Sequence, residues 1–317
     1  MKKRIISVLL ATVFALSVIG CGTKDTKEQD AYRQYGITCM ESGKYEDAVK
    51  AFQNALGESI GHIGEKELDI CFYKAKAQAL DGKTKDALAT YNAIIKYNKD
   101  ARAYYLRGDL YMDMGEEKKG KADFESAVQH GKKNYEIYIG IYESLSRHEK
   151  KDEGQKYLSA AMEIKGDKPG DELYKGRISY LLGENKDAIS YLEKAKEHKQ
   201  MLASYYLGLA YDANGDSDKA KKCIAEYIKS GVATSYDLYE LGMQEMQDGN
   251  YKNALTYFNS GLELEKVPNK QNLMKSAIAA YEYSGDFDSA KKMMKEYLKA
   301  YPDDEEAKHE NTFLETR

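Results

Sequence analysis

The feature that most constrains the fold is a segment that recurs along the chain. "SGKYEDAVKAFQNAL" at residues 42–56 returns as "DGNYKNALTYFNSGL" at residues 248–262. Six such copies place a glycine five residues before an alanine, and these alanines are Ala48, Ala87, Ala188, Ala220, Ala254 and Ala290. Gly120 and Gly154 take the alanine place in two weaker copies, and the interval between successive copies centres on 34 residues. A period of this length predicts an array of stacked units.

Each copy is predicted to be a helical hairpin. In most copies a second small residue lies twelve positions before the alanine, as Gly36, Ala75, Gly108, Gly176, Gly208 and Gly242. Two helices approach closely where side chains are small, so this pair predicts their crossing point. The glycine between them suits the left-handed residue that ends a helix. Asp216, Asn250 and Asp286 follow that glycine, where an N-cap of the second helix is expected.

The boundaries of the units are supported by residues outside the repeat itself. Pro169, Pro268 and Pro302 all fall between predicted units, where a missing backbone N–H is tolerated. The first junction, residues 57–67, contains three glycines and exceeds the usual period, which predicts a surface loop or a lengthened turn.

The repeats resemble the tetratricopeptide repeat family. The match is fullest at Leu241, Gly242, Gly249, Ala254 and Phe258, and Tyr32, Gly36, Gly43, Ala48, Phe52 and Ala55 match nearly as well. The resemblance implies an all-α, right-handed α-solenoid of about eight hairpins over residues 29–304, followed by a capping helix at residues 305–317. The departures are the absence of Trp, Glu149 in place of the fourth turn glycine, and Ile278 in place of the last crossing glycine.

The N-terminus predicts export and a lipid anchor. A basic start, Lys2 to Arg4, precedes a fifteen-residue apolar run that is short for a membrane span, so residues 1–20 are predicted to be a signal peptide. Val18-Ile19-Gly20-Cys21 resembles the bacterial lipobox, which implies cleavage before Cys21 and its acylation. Residues 21–28 would then form the lipidated end and a short polar tether. An ordinary signal peptide with an incidental Cys21, or an uncleaved anchor, are the alternatives.

Composition and motifs argue against several classes of function. The net charge of −4 becomes −7 once residues 1–20 are removed, and no basic stripe is present, which disfavours nucleic acid as a partner. The five histidines are scattered without the spacing of metal ligands, and no Gly-rich phosphate loop is found. We therefore expect no metal, no cofactor and no catalytic residues.

Three cysteines follow Cys21, and they are predicted to lie on apolar helix faces. Cys39, Cys71 and Cys223 are favoured as buried free thiols, since buried Cys behaves as a small apolar residue. A bridge between Cys39 and Cys71 is the alternative in an oxidising compartment.

A partner-binding groove is expected on the face that the first helices of stacked hairpins share. The resemblance implies that this face binds a peptide or a helix. Helical spacing places there Tyr105, Asp109, Met112, Arg177, Tyr180, Tyr205, Leu209, Tyr236, Tyr239, Met243 and Met246. Ordinary packing between repeats is an equal alternative for these tyrosines and methionines. The leading functional hypothesis is a lipid-anchored, extracytoplasmic scaffold for a protein partner. The alternatives are a binding module for an envelope glycan or cell-wall fragment, and an accessory subunit of an enzyme.

Overall fold

A computed structural model describes residues 26–59, 63–166 and 170–317, and every regular element in these ranges is an α-helix. Residues 1–20 and Cys21, on which the signal peptide and the lipid anchor are predicted, lie outside these ranges, as does Pro169. The first described helix begins at Thr26, inside the segment that was predicted to be a tether.

Seventeen helices follow one another through the described residues. They are α1 (Thr26–Glu41), α2 (Tyr45–Gly57), α3 (Glu65–Leu80), α4 (Thr84–Asn98), α5 (Ala101–Asp113), α6 (Glu117–His130), α7 (Tyr135–Arg147), α8 (Lys151–Met162), α9 (Asp171–Leu182), α10 (Asn185–Glu197), α11 (Leu202–Ala213), α12 (Ser217–Lys229), α13 (Ser235–Gln247), α14 (Tyr251–Leu262), α15 (Lys270–Tyr283), α16 (Phe287–Ala300) and α17 (Glu305–Glu315).

The helices pair in chain order into eight hairpins, from α1/α2 to α15/α16, and α17 follows the last. This confirms the predicted all-α class of helical hairpins with a terminal helix. The chain divides into two compact units, Met1–Ala195 and Lys196–Arg317. Helices α1 to α9 lie in the first unit and α11 to α17 in the second, while α10 spans the boundary.

The two helices of a hairpin meet where a glycine leaves room for a large side chain. A Cβ added to Gly242 would lie 2.2 Å from Cε1 of Phe258, and one added to Gly36 would lie 2.6 Å from Cε1 of Phe52. Gly176 and Gly208 have the same relation to Leu192 and Ile224. The side chain that fills each gap is sixteen residues after the glycine, one helical turn beyond the small residue that the repeat pattern picked out.

We expect Gly242→Ala to destabilise the chain by about 1–3 kcal/mol, since the new methyl group overlaps a fully buried phenylalanine ring. Thermal unfolding followed by circular dichroism measures the effect. Gly57→Ala is the matched control, because no atom lies within 4 Å of its added Cβ and its φ is ordinary. Its effect should stay within about 0.5 kcal/mol. Equal melting temperatures for the two variants would contradict the assignment of Gly242 to the crossing point of the two helices.

The turn between the helices of a hairpin requires left-handed backbone. The turn glycines predicted from the repeat all have φ between 69° and 85°, and they are Gly43, Gly82, Gly115, Gly183, Gly215, Gly249 and Gly285. Glu149, which replaces glycine in the fourth turn, adopts the same conformation with φ 61°. The geometry of the turn is therefore kept at this position at the expense of backbone strain, since left-handed backbone is unfavourable for a side chain with a Cβ.

The C-terminal helix is held by its N-cap residue. Asp304 accepts a hydrogen bond from the backbone N–H of Ala307 at 3.0 Å and from the hydroxyl of Tyr297 at 2.5 Å. The Lys275 ammonium lies 2.9 Å from the same carboxylate. The Tyr297 hydroxyl, followed by Lys275, lowers the pKa of Asp304 well below its usual range. Ala307 and Leu314 of α17 are buried, as expected of a helix that covers the last hairpin.

A carboxyl pair lies between α15 and this terminal helix. Glu282 on α15 is half-buried, one of its oxygens is buried without a hydrogen-bond partner, and its side chain meets Glu310 on α17. Burial, and then the negative charge of Glu310, raise the pKa of Glu282 to about 7. An unfolded chain has its glutamate pKa near ~4.3, so folding becomes less favourable as the pH rises from that value to about 7.

We expect Glu282→Gln to raise the melting temperature near pH ~8 and to leave it unchanged near pH ~4, where the carboxyl is protonated in both states. The gain should be about 1 kcal/mol, because solvent screens a carboxyl that is only half-buried. Glu296→Gln, on the exposed face of α16, is the control and should show no pH-dependent gain. The same stabilisation of Glu282→Gln at both pH values would show that the carboxyl carries no raised pKa.

Candidate partner-binding surface

In the first unit, ion pairs join the first helices of neighbouring hairpins. Arg33 on α1 lies 2.6 Å from Asp69 on α3, and Asp109 on α5 lies 2.6 Å from Arg147 on α7. Arg177 on α9 continues the series with a nitrogen 2.8 Å from an oxygen of Glu143 on α7. Six charged residues of this face therefore bind one another across the seams between hairpins.

This pairing bears on two residues of the predicted groove. Asp109 and Arg177 lie on the face formed by first helices, where helical spacing placed them, but each is bound to a side chain of a neighbouring first helix. Arg177 also lies 3.4 Å from Glu136, and its side chain is 19% exposed. A partner would have to break these contacts in order to use either charge.

Two further predicted residues pack inside the first unit. Met112 is 4% exposed, and a Cβ added to Gly120 would lie 2.8 Å from its sulfur, so Met112 fills the space between α5 and α6. The prediction that Met112 lines a groove is therefore corrected: a small residue in the facing helix draws it into the core. Tyr105 is half-buried against Gly140 of α7, and burial raises its pKa above the usual range. Tyr180 is half-buried on α9.

The second unit presents a different face. Six residues of the predicted groove lie on α11 and α13, the first helices of two neighbouring hairpins. We name them the tyrosine–methionine face: Tyr205, Leu209, Tyr236, Tyr239, Met243 and Met246. In the described part of the chain, no ion pair joins α11 to α13 or α13 to α15. Apolar side chains close these two seams, whereas Lys275 on α15 forms ion pairs with Asp304 and Glu306 at the terminal helix.

Most residues of the tyrosine–methionine face are only partly buried. Tyr205 and Leu209 pack against a cluster containing Ile224 and Leu238, and Tyr239, Met243 and Met246 pack against one containing Phe258. All five keep part of their surface exposed, whereas Tyr236 is 55% exposed. These residues therefore serve packing between repeats and leave an apolar surface at the same time.

A cleft of about 350 Å³ adjoins this face between hairpins α11/α12 and α13/α14. Leu209, Ile224 and Leu241 form apolar walls, and the polar residues around them are Asp212, Ser217, Lys221, Gln244, Glu245, Asp248, Asn250 and Asn253. Of these residues the predicted groove included only Leu209, and those on α12 and α14 were missed because they belong to the second helices of the hairpins.

The electrostatic environment of the cleft is negative. Three carboxylates and a single ammonium line it. Tyr257 lies in its wall, where burial, followed by the charges of Glu245 and Asp212, raises the pKa of the hydroxyl. The carboxylates of Glu245 and Asp212 therefore lie close enough to the Tyr257 hydroxyl to disfavour its ionised form.

Among the described residues, Cys39, Cys71 and Cys223 are not joined in disulfide bonds. Cys39 and Cys223 are buried, while Cys71 is intermediate. Burial raises the pKa of the Cys71 thiol to about 11, which leaves it almost entirely protonated and unreactive near neutral pH.

The described residues contain neither a candidate membrane span nor a candidate metal site. No helix among residues 26–59, 63–166 and 170–317 is both long and apolar enough to cross a membrane. Nor do three or more His, Cys, Asp or Glu side chains group there as a metal ion would require.

The architecture defines a helical-hairpin repeat protein, and comparison with known families gives the repeat its name. Models described as tetratricopeptide repeat match residues 36–95, 101–129, 202–230 and 271–304. The chain therefore contains tetratricopeptide repeats in these segments. The segment that resembles the family pattern most fully, Leu241 to Phe258, lies outside the matched ranges.

Three solved structures show a distant similarity to the chain, with TM-scores below 0.5. A tetratricopeptide repeat protein from Parabacteroides merdae has 12% identity and a TM-score of 0.47, over 80% of this chain and 99% of that one. The Cut9-Hcn1 hetero-tetramer of APC/C has a chain with 15% identity and a TM-score of 0.45, over 96% of this chain and 59% of that one. The C-terminal part of a repeat protein from Cytophaga hutchinsonii has 14% identity and a TM-score of 0.38, over 77% of this chain and 98% of that one. No curated protein sequence matches the chain.

Proposed function

We propose that this protein is a non-enzymatic scaffold that binds a protein or peptide partner on the tyrosine–methionine face of its second unit. Tetratricopeptide repeats generally mediate protein–protein interactions, and proteins built from them are typically non-catalytic. The observation that carries the proposal is the contrast between two faces of one chain. Six charged residues of the first unit's face are bound to one another, whereas the second unit's face offers partly exposed tyrosine and methionine side chains.

Exposed apolar residues also stand at or just before the start of the two helices that carry this face. Met201 and Leu202, where α11 begins, are 49% and 37% exposed, and Val232, in the loop before α13, is 47% exposed. Tyr236, near the start of α13, is 55% exposed. An apolar surface grouped on one side of a unit favours an interaction site. Tyrosine gives a large contact area with a polar tip, and methionine adapts to partners of varied shape.

The second part of the proposal is an anchor on the outer side of a bacterial membrane. It is supported by the lipobox resemblance at Cys21 and by the apolar run before it. Helix α1 begins five residues after Cys21, and five residues span at most about 18 Å. Two or three acyl chains on Cys21 would therefore hold the start of the first unit close to the lipid surface.

A pair of tyrosines with equal exposure tests the binding face. We expect a photocrosslinking amino acid that replaces Tyr236 to capture a partner protein in the native cell. The same amino acid in place of Tyr35 on α1 should not capture that partner. Tyr35 is 57% exposed, so accessibility is matched. Leu202→Ala with Tyr236→Ala should lower recovery of that partner about tenfold without changing helicity. Equal capture from both positions would refute the assignment of the face.

Replacement of the lipidated residue tests the anchor. We expect Cys21→Ser to move the protein from the membrane fraction to the soluble fraction, because the acyl chains supply the membrane affinity. Intact-mass spectrometry of the unaltered protein should show acylation on an N-terminal Cys21. Cys39→Ser is the control and should leave both the mass shift and the fractionation unchanged. An unacylated chain that stays in the membrane fraction would count against the lipid anchor.

A further inference from the structure

We propose that the cleft between hairpins α11/α12 and α13/α14 receives an arginine or lysine side chain of the peptide that lies on the tyrosine–methionine face. This inference rests on the proposed function and adds the chemistry of the partner. The occupant is a peptide segment in which a basic residue stands among apolar ones.

The carboxylates of the cleft lack a cationic partner. In the part of the chain that the structure describes, Asp212, Glu245 and Asp248 form no ion pair, and neither does Lys221 in the same cleft. Asp212 accepts a hydrogen bond from Ser217 at 3.5 Å and Glu245 accepts one from Asn253 at 3.1 Å. Both donors are neutral, so they orient the carboxylates without balancing their charge.

Carboxylates on the first helices of the first unit, unlike those of the cleft, are paired with arginine. On the first helices of the first unit, Asp69, Asp109 and Glu143 are each bound by an arginine of a neighbouring first helix. No first-helix arginine exists in the second unit, whose only arginine is Arg317 at the C-terminus. The cleft therefore keeps a negative charge that in the other unit is neutralised from within the chain.

The walls of the cleft suit a long basic side chain. The partly exposed Leu209, backed by the buried Ile224 and Leu241, offers apolar surface to a methylene stem. The carboxylates that line the same cleft can hold the charged end. A volume of about 350 Å³ is at the lower limit of ordinary ligand pockets, which matches one or two side chains better than a whole small molecule.

The cleft is continuous with the proposed binding face. Leu209 belongs to both, and Asp212 follows it by three residues, so the two side chains lie on the same side of α11. A peptide that packs on Tyr205 and Leu209 therefore reaches the carboxylates within one helical turn.

The charge of the whole second unit also favours a basic segment. Residues 196–317 carry sixteen Lys and Arg against twenty-one Asp and Glu, a net charge of −5. A surface of one sign attracts a ligand of the other and raises the rate at which it associates.

The experiment selects short peptides of random sequence on the purified full chain and then compares matched members of the selected set. We expect enrichment of Arg or Lys flanked by apolar residues. Fluorescence anisotropy should show about tenfold weaker binding when the basic residue is replaced by glutamine, and further weakening between about 0.05 M and about 0.5 M salt. Asp212→Asn with Glu245→Gln should remove this preference for the basic peptide and leave the affinity for the glutamine peptide unchanged.

Glu265→Gln with Glu296→Gln is the control. It removes the same charge from two exposed positions outside the cleft, so it should keep the preference for the basic peptide. Selected peptides that bind without charge preference, or a preference that survives Asp212→Asn with Glu245→Gln, would overturn the inference while the proposed function stands. A chain that selects no peptide would overturn both.

Discussion

The structure depends on the close approach of two helices at a point where one of them has no side chain. A hairpin of two short helices cannot bury its apolar faces alone, so each hairpin needs both this tight crossing and a neighbour to cover it. Gly242 and Phe258 show the arrangement, in which a large ring occupies the space that the glycine leaves. Because the contact recurs along the chain, the hairpins resemble one another. The first-helix residues that take no part in this crossing determine what each unit presents to solvent.

Those remaining residues are used in two ways. In the first unit they form ion pairs across the seams, and because these pairs are partly exposed, each adds little to stability. Their larger effect is to occupy the face, since a carboxylate held by arginine is no longer available to a ligand without exchange of partners. In the second unit the seams from α11 to α15 are apolar, and tyrosine and methionine both close them and remain partly exposed. One repeat can therefore provide a largely structural half and a recognition half.

The ends of helices in the second unit are fixed by a recurring hydrogen bond. Tyr227 on α12 donates to Asp237 at the start of α13 at 2.6 Å, and Tyr297 on α16 donates to Asp304 before α17 at 2.5 Å. Both tyrosines are almost fully buried and stand seven residues after the small residue of their repeat. Each hydroxyl thus joins a second helix to the beginning of the next helix, and the Tyr227 contact positions α13, which carries part of the proposed binding face.

The sequence alone determined the class of fold, because glycine, alanine and turn positions act through local backbone geometry and through the space one residue occupies. The left-handed φ of Gly249 and the burial of Ala254 follow from that spacing. Spacing also placed Asp109 and Met112 on the first-helix face, but only the tertiary structure decided that Asp109 is held by Arg147 and that Met112 turns into the core. The acidic cleft was likewise decided there, since its carboxylates and apolar walls come from separate helices that are brought together by packing. A repeat pattern specifies which side of a helix a residue occupies, whereas its partner depends on how neighbouring helices meet.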